Sequence, residues 1–259
     1  MSILPVAEPG SSQRRDEVLR ELNLYPLWQR RMPANADTGA AGVSAPVALE
    51  VAGSKPEPAA ADTSHLNWAE LRTQVKACAA CSLRAGSTQT VFGTGDENAG
   101  WLFVGSWPSE DDDAQGEPFA GQAGQLLDNM LAAIQLKRGV NVYLANIVKC
   151  TGSIRRAPQA DQIAQCASYL TRQIQLLQPK VIVALGHAAA TALLGEDREW
   201  SSLLGTVHEY RCMENIHTRR PIPLVITHHP AALLLAPLNK AQTWRDLCLA
   251  RDTMRGEIL

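Results

Sequence analysis

Four short apolar runs, set between amphipathic stretches, limit what this chain can fold into. "GWLFVGS" (100–106), "VYLANIV" (142–148), "KVIVALG" (180–186) and "IPLVIT" (222–227) are rich in β-branched residues, and each is long enough for a buried strand. The segments 121–136, 158–178, 187–194 and 238–254 carry helical spacing instead. Pro158 suits a first helical turn, and Gln178-Pro179 closes that helix. Buried strands alternating with helices predict an α/β fold: a four-stranded, mainly parallel sheet in a three-layer αβα sandwich. Ligands of such sheets gather beyond the carboxyl ends of the strands.

This pattern begins near residue 65, so 65–259 is expected to be the folded domain. Residues 32–64 are rich in Ala, Pro, Gly and Ser without sustained periodicity, and they read as a disordered tether. A coil of about 32 residues has an r.m.s. reach of roughly 30 Å. Residues 1–31 contain a short amphipathic stretch in which Leu19, Leu22 and Leu24 cluster with Leu27 and Trp28 between flanking arginines. Asp16 and Glu17 lie at its start, where carboxylates favour the helix dipole. A helix so short is marginal alone in water, which suits a peptide that forms against a partner.

Composition narrows the setting. The net charge of −2 exerts no global pull toward nucleic acid or membrane, although a local basic groove can sit on a neutral protein. No apolar run approaches the roughly 18 residues of a membrane span, and "MSILPVAEPG" lacks a signal-peptide core. A soluble cytoplasmic protein is expected. In a reducing compartment, grouped cysteines favour metal over disulfides. Cys78 and Cys81 form a CxxC, Cys150 follows the second strand run, and Cys166 shares a helix face with Ile163, Leu170 and Ile174. Structural zinc usually takes compact paired motifs, whereas an iron–sulfur cluster tolerates a wide split between ligands. Cys212 and Cys248 stand outside the pattern as ordinary thiols.

From about residue 70 onward the chain resembles the family 4 uracil-DNA glycosylases, which carry a [4Fe–4S] cluster. The resemblance rests on "GEPFAGQAGQLL" (116–127), "NIVKC" (146–150), "QPKVIVALGHAAATALLG" (178–195), "THHPAALL" (227–234) and the cysteine spacing, all in family order. It implies that Cys78, Cys81, Cys150 and Cys166 ligate the cluster. It implies further that Phe119 stacks on a flipped uracil, Asn146 reads the edge of the base, and His229 supports charge on the departing ring.

The pattern breaks at the family's first motif. Ser106 replaces a glutamate implicated in activating water, and Trp107 and Ser109 replace small residues. A neutral serine is a poor general base without a partner. Asp112 falls where the family has a second acidic residue and is the carboxylate that would compensate. "CTGSIRRAP" (150–158) lacks the family's proline pair, and Leu235 stands where an arginine is usual.

The leading peptide, "RRDEVLRELNLYPLWQRR" (14–31), resembles the N-terminal peptide of the psi subunit of the bacterial DNA polymerase III clamp loader. Arg14, Arg15, Asp16, Leu19, Leu22 and Leu24 align with it, and Trp28 is displaced by one place. That resemblance implies docking on the loader's ATPase subunits, with the body binding a chi-like subunit and, through it, single-strand binding protein. A tether of this kind raises the local concentration of a second partner. The sequence therefore leads to the expectation of a non-catalytic psi-type adaptor built on a degenerate glycosylase domain. The alternative is an active uracil-DNA glycosylase using Asp112 and His229, and a third reading is a reader of damaged DNA that does not cleave.

Overall fold

A computed structural model of the protein describes residues 62–152, 157–211 and 221–256. The leading peptide and most of the tether lie outside these residues. The described fold starts slightly before the expected boundary: Thr63 is buried, and its hydroxyl donates to the Ser168 carbonyl at 3.1 Å.

All four expected strands form. They are β2 (Trp101–Gly105), β3 (Val142–Asn146), β4 (Val181–Leu185) and β6 (Ile222–Thr227), mutually parallel in the spatial order β3-β2-β4-β6. The sheet has six strands rather than four. Two antiparallel edge strands, β1 (Thr94–Gly95) beside β3 and β5 (Val207–Tyr210) beside β6, extend it to a mixed sheet. Both escaped the apolar-run criterion for a physical reason. β1 is two residues long, and β5 sets His208 and Glu209 between Val207 and Tyr210, so this edge strand offers no apolar run.

Eight α-helices cover the sheet among the described residues: α1 (Trp68–Ala77), α2 (Glu110–Gln115), α3 (Gln122–Ala133), α4 (Ala160–Leu177), α5 (His187–Leu194), α6 (Trp200–Leu203), α7 (Pro230–Leu235) and α8 (Lys240–Arg255). Alternate strand residues point to opposite faces and feed two cores. Leu102, Val104, Ala145, Ile182, Ala184, Leu224 and Ile226 pack with α1, α4 and α5 on one face. Phe103, Leu144, Val183, Leu185 and Val225 pack with α3, α7 and α8 on the other. The three-layer arrangement follows from this double burial. None of the described helices is long and apolar enough to cross a membrane.

Candidate active site

Four carboxyl-terminal strand ends converge on one side of the sheet, delivering Gly105-Ser106, Asn146, Gly186 and Thr227-His228-His229. Gly105 decides how closely two of them approach. A Cβ there would collide with Asn146 Oδ1 and come within 2.5 Å of Phe119 Cζ, so only glycine lets the amide and the ring meet above β2. Gly124 has a matching role, since a Cβ on it would strike the Phe119 carbonyl where α3 packs against that residue. Phe119 itself holds a left-handed φ of 58°, which a bulky residue adopts only when its surroundings impose it. The imposing group is Arg138, which donates to the carbonyls of Pro118 and Phe119 at 3.0 Å each and pairs with Asp128 at 2.9 Å.

Asn146 is 2% exposed, and neither its Oδ1 nor its Nδ2 has a hydrogen-bond partner. An orphaned buried polar group costs about 1–3 kcal/mol, and here both ends of one amide stand open. Such an amide is complementary to a ring edge that carries a donor and an acceptor side by side.

His229 accepts a hydrogen bond from the Ala231 N–H through Nδ1 at 3.2 Å, as N-cap of α7. In the neutral ring this leaves the proton on Nε2, a donor. Burial pushes its pKa down to about 4 from 6.5, partly offset by the charge of Asp112, so the ring is neutral near pH 7. Its centroid lies 5.6 Å from that of Phe119. The neighbouring His228 packs edge-on against Trp200 at 5.2 Å, and burial lowers its pKa as well. Beneath both, Thr227 Oγ1 donates to the fully buried Asp246 at 2.8 Å, which also accepts from Gly205 N and Gln242 Nε2.

Four consecutive carboxylates, Glu110 to Asp113, open the helix α2. Ser109 caps α2 in a reciprocal box with Asp112, and the four carboxylates fill the first turn, where the dipole favours them. Asp112, 4% exposed, accepts from Ala120 N at 2.8 Å and Ser109 N at 3.1 Å. Asp113 accepts from Thr88 N and Gln89 N. Both carboxylates therefore bind loops to α2. A cavity of about 240 Å³, roughly eight times one water's share of the liquid, is lined by Trp107, Ser109, Asp111, Phe119, Gln122 and His229 among others. Trp107 forms a wall of this cavity and packs partly into the core beside it, leaving the space open.

On another side of the β3 end, Cys78, Cys81, Cys150 and Cys166 line one small cavity of about 20 Å³ together with Lys149 and Arg84. All four are free thiols, and burial raises the pKa of Cys150 to about 12 and of Cys166 to about 11. Among the described residues, no three His, Cys, Asp or Glu side chains already stand at metal-holding spacing. The donors are gathered on one cavity without being closed around an ion. Lys149, fully buried, donates to the Asn146 carbonyl at 2.9 Å and to Gln173 Oε1 at 2.7 Å, and burial lowers its pKa to about 8.

The structure thus brings Phe119, His229 and Asp112 to one cavity, with Asn146 beneath Phe119 and Ser106 buried nearby. Arg14, Arg15, Asp16, Leu19, Leu22, Leu24 and Trp28 lie outside the described residues. Arg138, Asp246 and Lys149 were not anticipated. Apart from Asp128, which pairs with Arg138, their partners are backbone groups and uncharged side chains, which leave no spaced motif. A charge inside or beside an apolar run is the one signal that points to any of them.

The parallel strands at the centre of this mixed sheet thus end close to an aromatic ring, an unpaired amide and a neutral imidazole. The profile of the uracil DNA glycosylase superfamily matches residues 92–250, and the chain belongs to that superfamily. The type-4 uracil-DNA glycosylase of Archaeoglobus fulgidus is 36% identical over 168 residues, 63% of this chain and 81% of that protein. Its counterpart from Pyrobaculum aerophilum is 34% identical over 180 residues, 70% and 91% of the two chains. The Thermotoga maritima type-4 protein reaches 42% over 116 residues, 45% and 60% of the two.

These similarities correct the expectation of a psi-type clamp-loader adaptor. They run through the pocket-bearing domain and are to glycosylases; nothing in them points to a clamp loader. The physical ground agrees. A body that only bound proteins would have no use for an unpaired buried amide or a strained aromatic, each costing about 1–3 kcal/mol.

Proposed function

We propose that this protein excises uracil from DNA by hydrolysing the bond between the base and its deoxyribose. The observation that carries this reading is the orphaned amide of Asn146 beside Phe119. Its open acceptor and donor match the N3–H and O4 of a flipped uracil, while Phe119 offers a stacking face. The likeness to type-4 uracil-DNA glycosylases supports the same reaction.

Excision requires the N1–C1′ bond to break with its electron pair leaving on uracil. The neutral His229, donating through Nε2, lies in the cavity where a hydrogen bond to the charging O2 stabilises the departing ring. Leu235 and Leu238 are 89% and 94% exposed and follow His229 by fewer than ten residues. Apolar side chains so placed suit a wedge that fills the stack behind an extruded base. The test is release of free uracil from single- and double-stranded uracil-containing DNA. Alkali-labile sites at uracil positions are expected, and DNA left intact under conditions where it binds would overturn the reading.

The four gathered cysteines suit a [4Fe–4S] cluster held by Cys78, Cys81, Cys150 and Cys166. All-thiol ligation is the chemistry of such clusters, and Lys149 and Arg84 beside the thiols oppose their negative charge. When bound, the cluster cross-links the CxxC turn to β3 and α4. Iron and acid-labile sulfide in equal amounts, lost in Cys150→Ser, are expected of protein purified without oxygen; zinc in their place would refute the cluster.

A further inference from the structure

We propose that Asp111 is the carboxylate that takes the proton from the attacking water, in place of the glutamate that Ser106 replaces. The inference rests on the uracil-excision reading and adds a residue to it. Asp112, the compensating residue suggested by the sequence, is committed, because Ala120 N and Ser109 N already bind its two oxygens. Asp113 is committed to Thr88 N and Gln89 N, and neither it nor Glu110 lines the cavity. Ser106 carries no charge at any ordinary pH.

Asp111 differs from all of these. It lines the cavity with Phe119 and His229, it is exposed to entering water, and among the described residues no hydrogen bond or ion pair engages its carboxylate. Its place depends on a glycine. Asp111 Oδ2 occupies the position that a Cβ on Gly121 would fill, so the carboxyl rests against the bare backbone where α3 begins. A general base needs an accessible, unengaged oxygen within reach of the reacting atom, and on the cavity Asp111 has both oxygens unengaged among the described residues, whereas each Asp112 oxygen holds a backbone N–H.

In the step assigned to it, the water oxygen bonds to C1′ as the N1–C1′ bond breaks and its electron pair departs on uracil toward His229. One proton of the water passes to the Asp111 carboxylate and from there to solvent. The uracil anion takes a proton from solvent, so deoxyribose with a free hydroxyl and neutral uracil are the products.

The experiment measures single-turnover excision and affinity on the full-length protein, using uracil-containing DNA and a duplex with a non-cleavable uracil nucleotide. Asp111→Asn is expected to slow excision by about 100-fold or more while leaving affinity within about twofold. Asp111→Glu should keep more activity than Asp111→Asn, and adding Ser106→Glu to Asp111→Asn should recover part of the rate. A rate for Asp111→Asn within about threefold of the wild type overturns the assignment and leaves uracil excision standing. So does a loss of affinity as large as the loss of rate. Absence of excision by the wild type itself removes the function and Asp111's role with it.

Discussion

The carboxyl end of β2 and the carboxyl ends of β3 and β6 lie at the same edge of the sheet but carry different groups. At β3 and β6 stand an amide with both ends unpaired and an imidazole whose tautomer is set by Ala231. At β2 the expected carboxylate is a serine hydroxyl, followed by a tryptophan that serves as wall. On the proposed function, reading the base falls to the ends of β3 and β6 and activating the water to α2, so the two tasks sit on separate elements. One can be rebuilt while the other is kept, provided that a carboxylate reaches the cavity from elsewhere.

The sharpest test of this division is His229→Ala, which should lower excision by about 100- to 1,000-fold with little change in DNA affinity, measured by single-turnover kinetics. A loss of binding equal to the loss of rate would blur the line between the two ends. Gly105→Ala should come next. The added methyl meets Asn146 and Phe119, so about 1–3 kcal/mol of stability should disappear in urea melts, along with base recognition. Arg138→Met removes two hydrogen bonds from a charged donor to the carbonyls before and at the pocket aromatic, at a cost of about 1–3 kcal/mol.

Acid should probe the β6 end. His229 takes up its proton near 6.5 when unfolded but only near 4 when folded, so the unfolded state binds more protons between those values. Stability should fall as pH drops from 7 to 5, by at most about 2 kcal/mol, and His229→Gln should flatten that slope. The smallest effect belongs to the altered strand end: Ser106→Ala should change stability by less than about 0.5 kcal/mol and excision by about threefold or less. A large effect there would return the chemistry to β2.

Much of this was legible in the residues. The four central strands are apolar and β-branched because both their faces are buried, and such runs announce themselves. The pocket aromatic, amide and histidine stood out through spaced motifs. What stayed hidden was whatever depends on a backbone partner far along the chain. "SEDDDAQG" reads as a loop by its charge, yet Ser109 caps it and the dipole accommodates the carboxylates, so it becomes α2. Asp112 stood out in the sequence by its place in the family pattern, and Asp111 beside it did not. Only the backbone amides of Ser109 and Ala120 separate the carboxylate that binds a loop from the one left facing water.

The clamp on Phe119 also sets an order of events. Arg138 follows the aromatic by 19 residues, on the far side of α3. While the chain is being made, Phe119 therefore exists for a time without the guanidinium that holds its backbone in the left-handed region. In that interval an extended or helical φ is open to it, and α3 has nothing to seat Gly124 against. The left-handed Phe119 beside the pocket is among the features this domain acquires only after a whole helix and its exit loop have been synthesised.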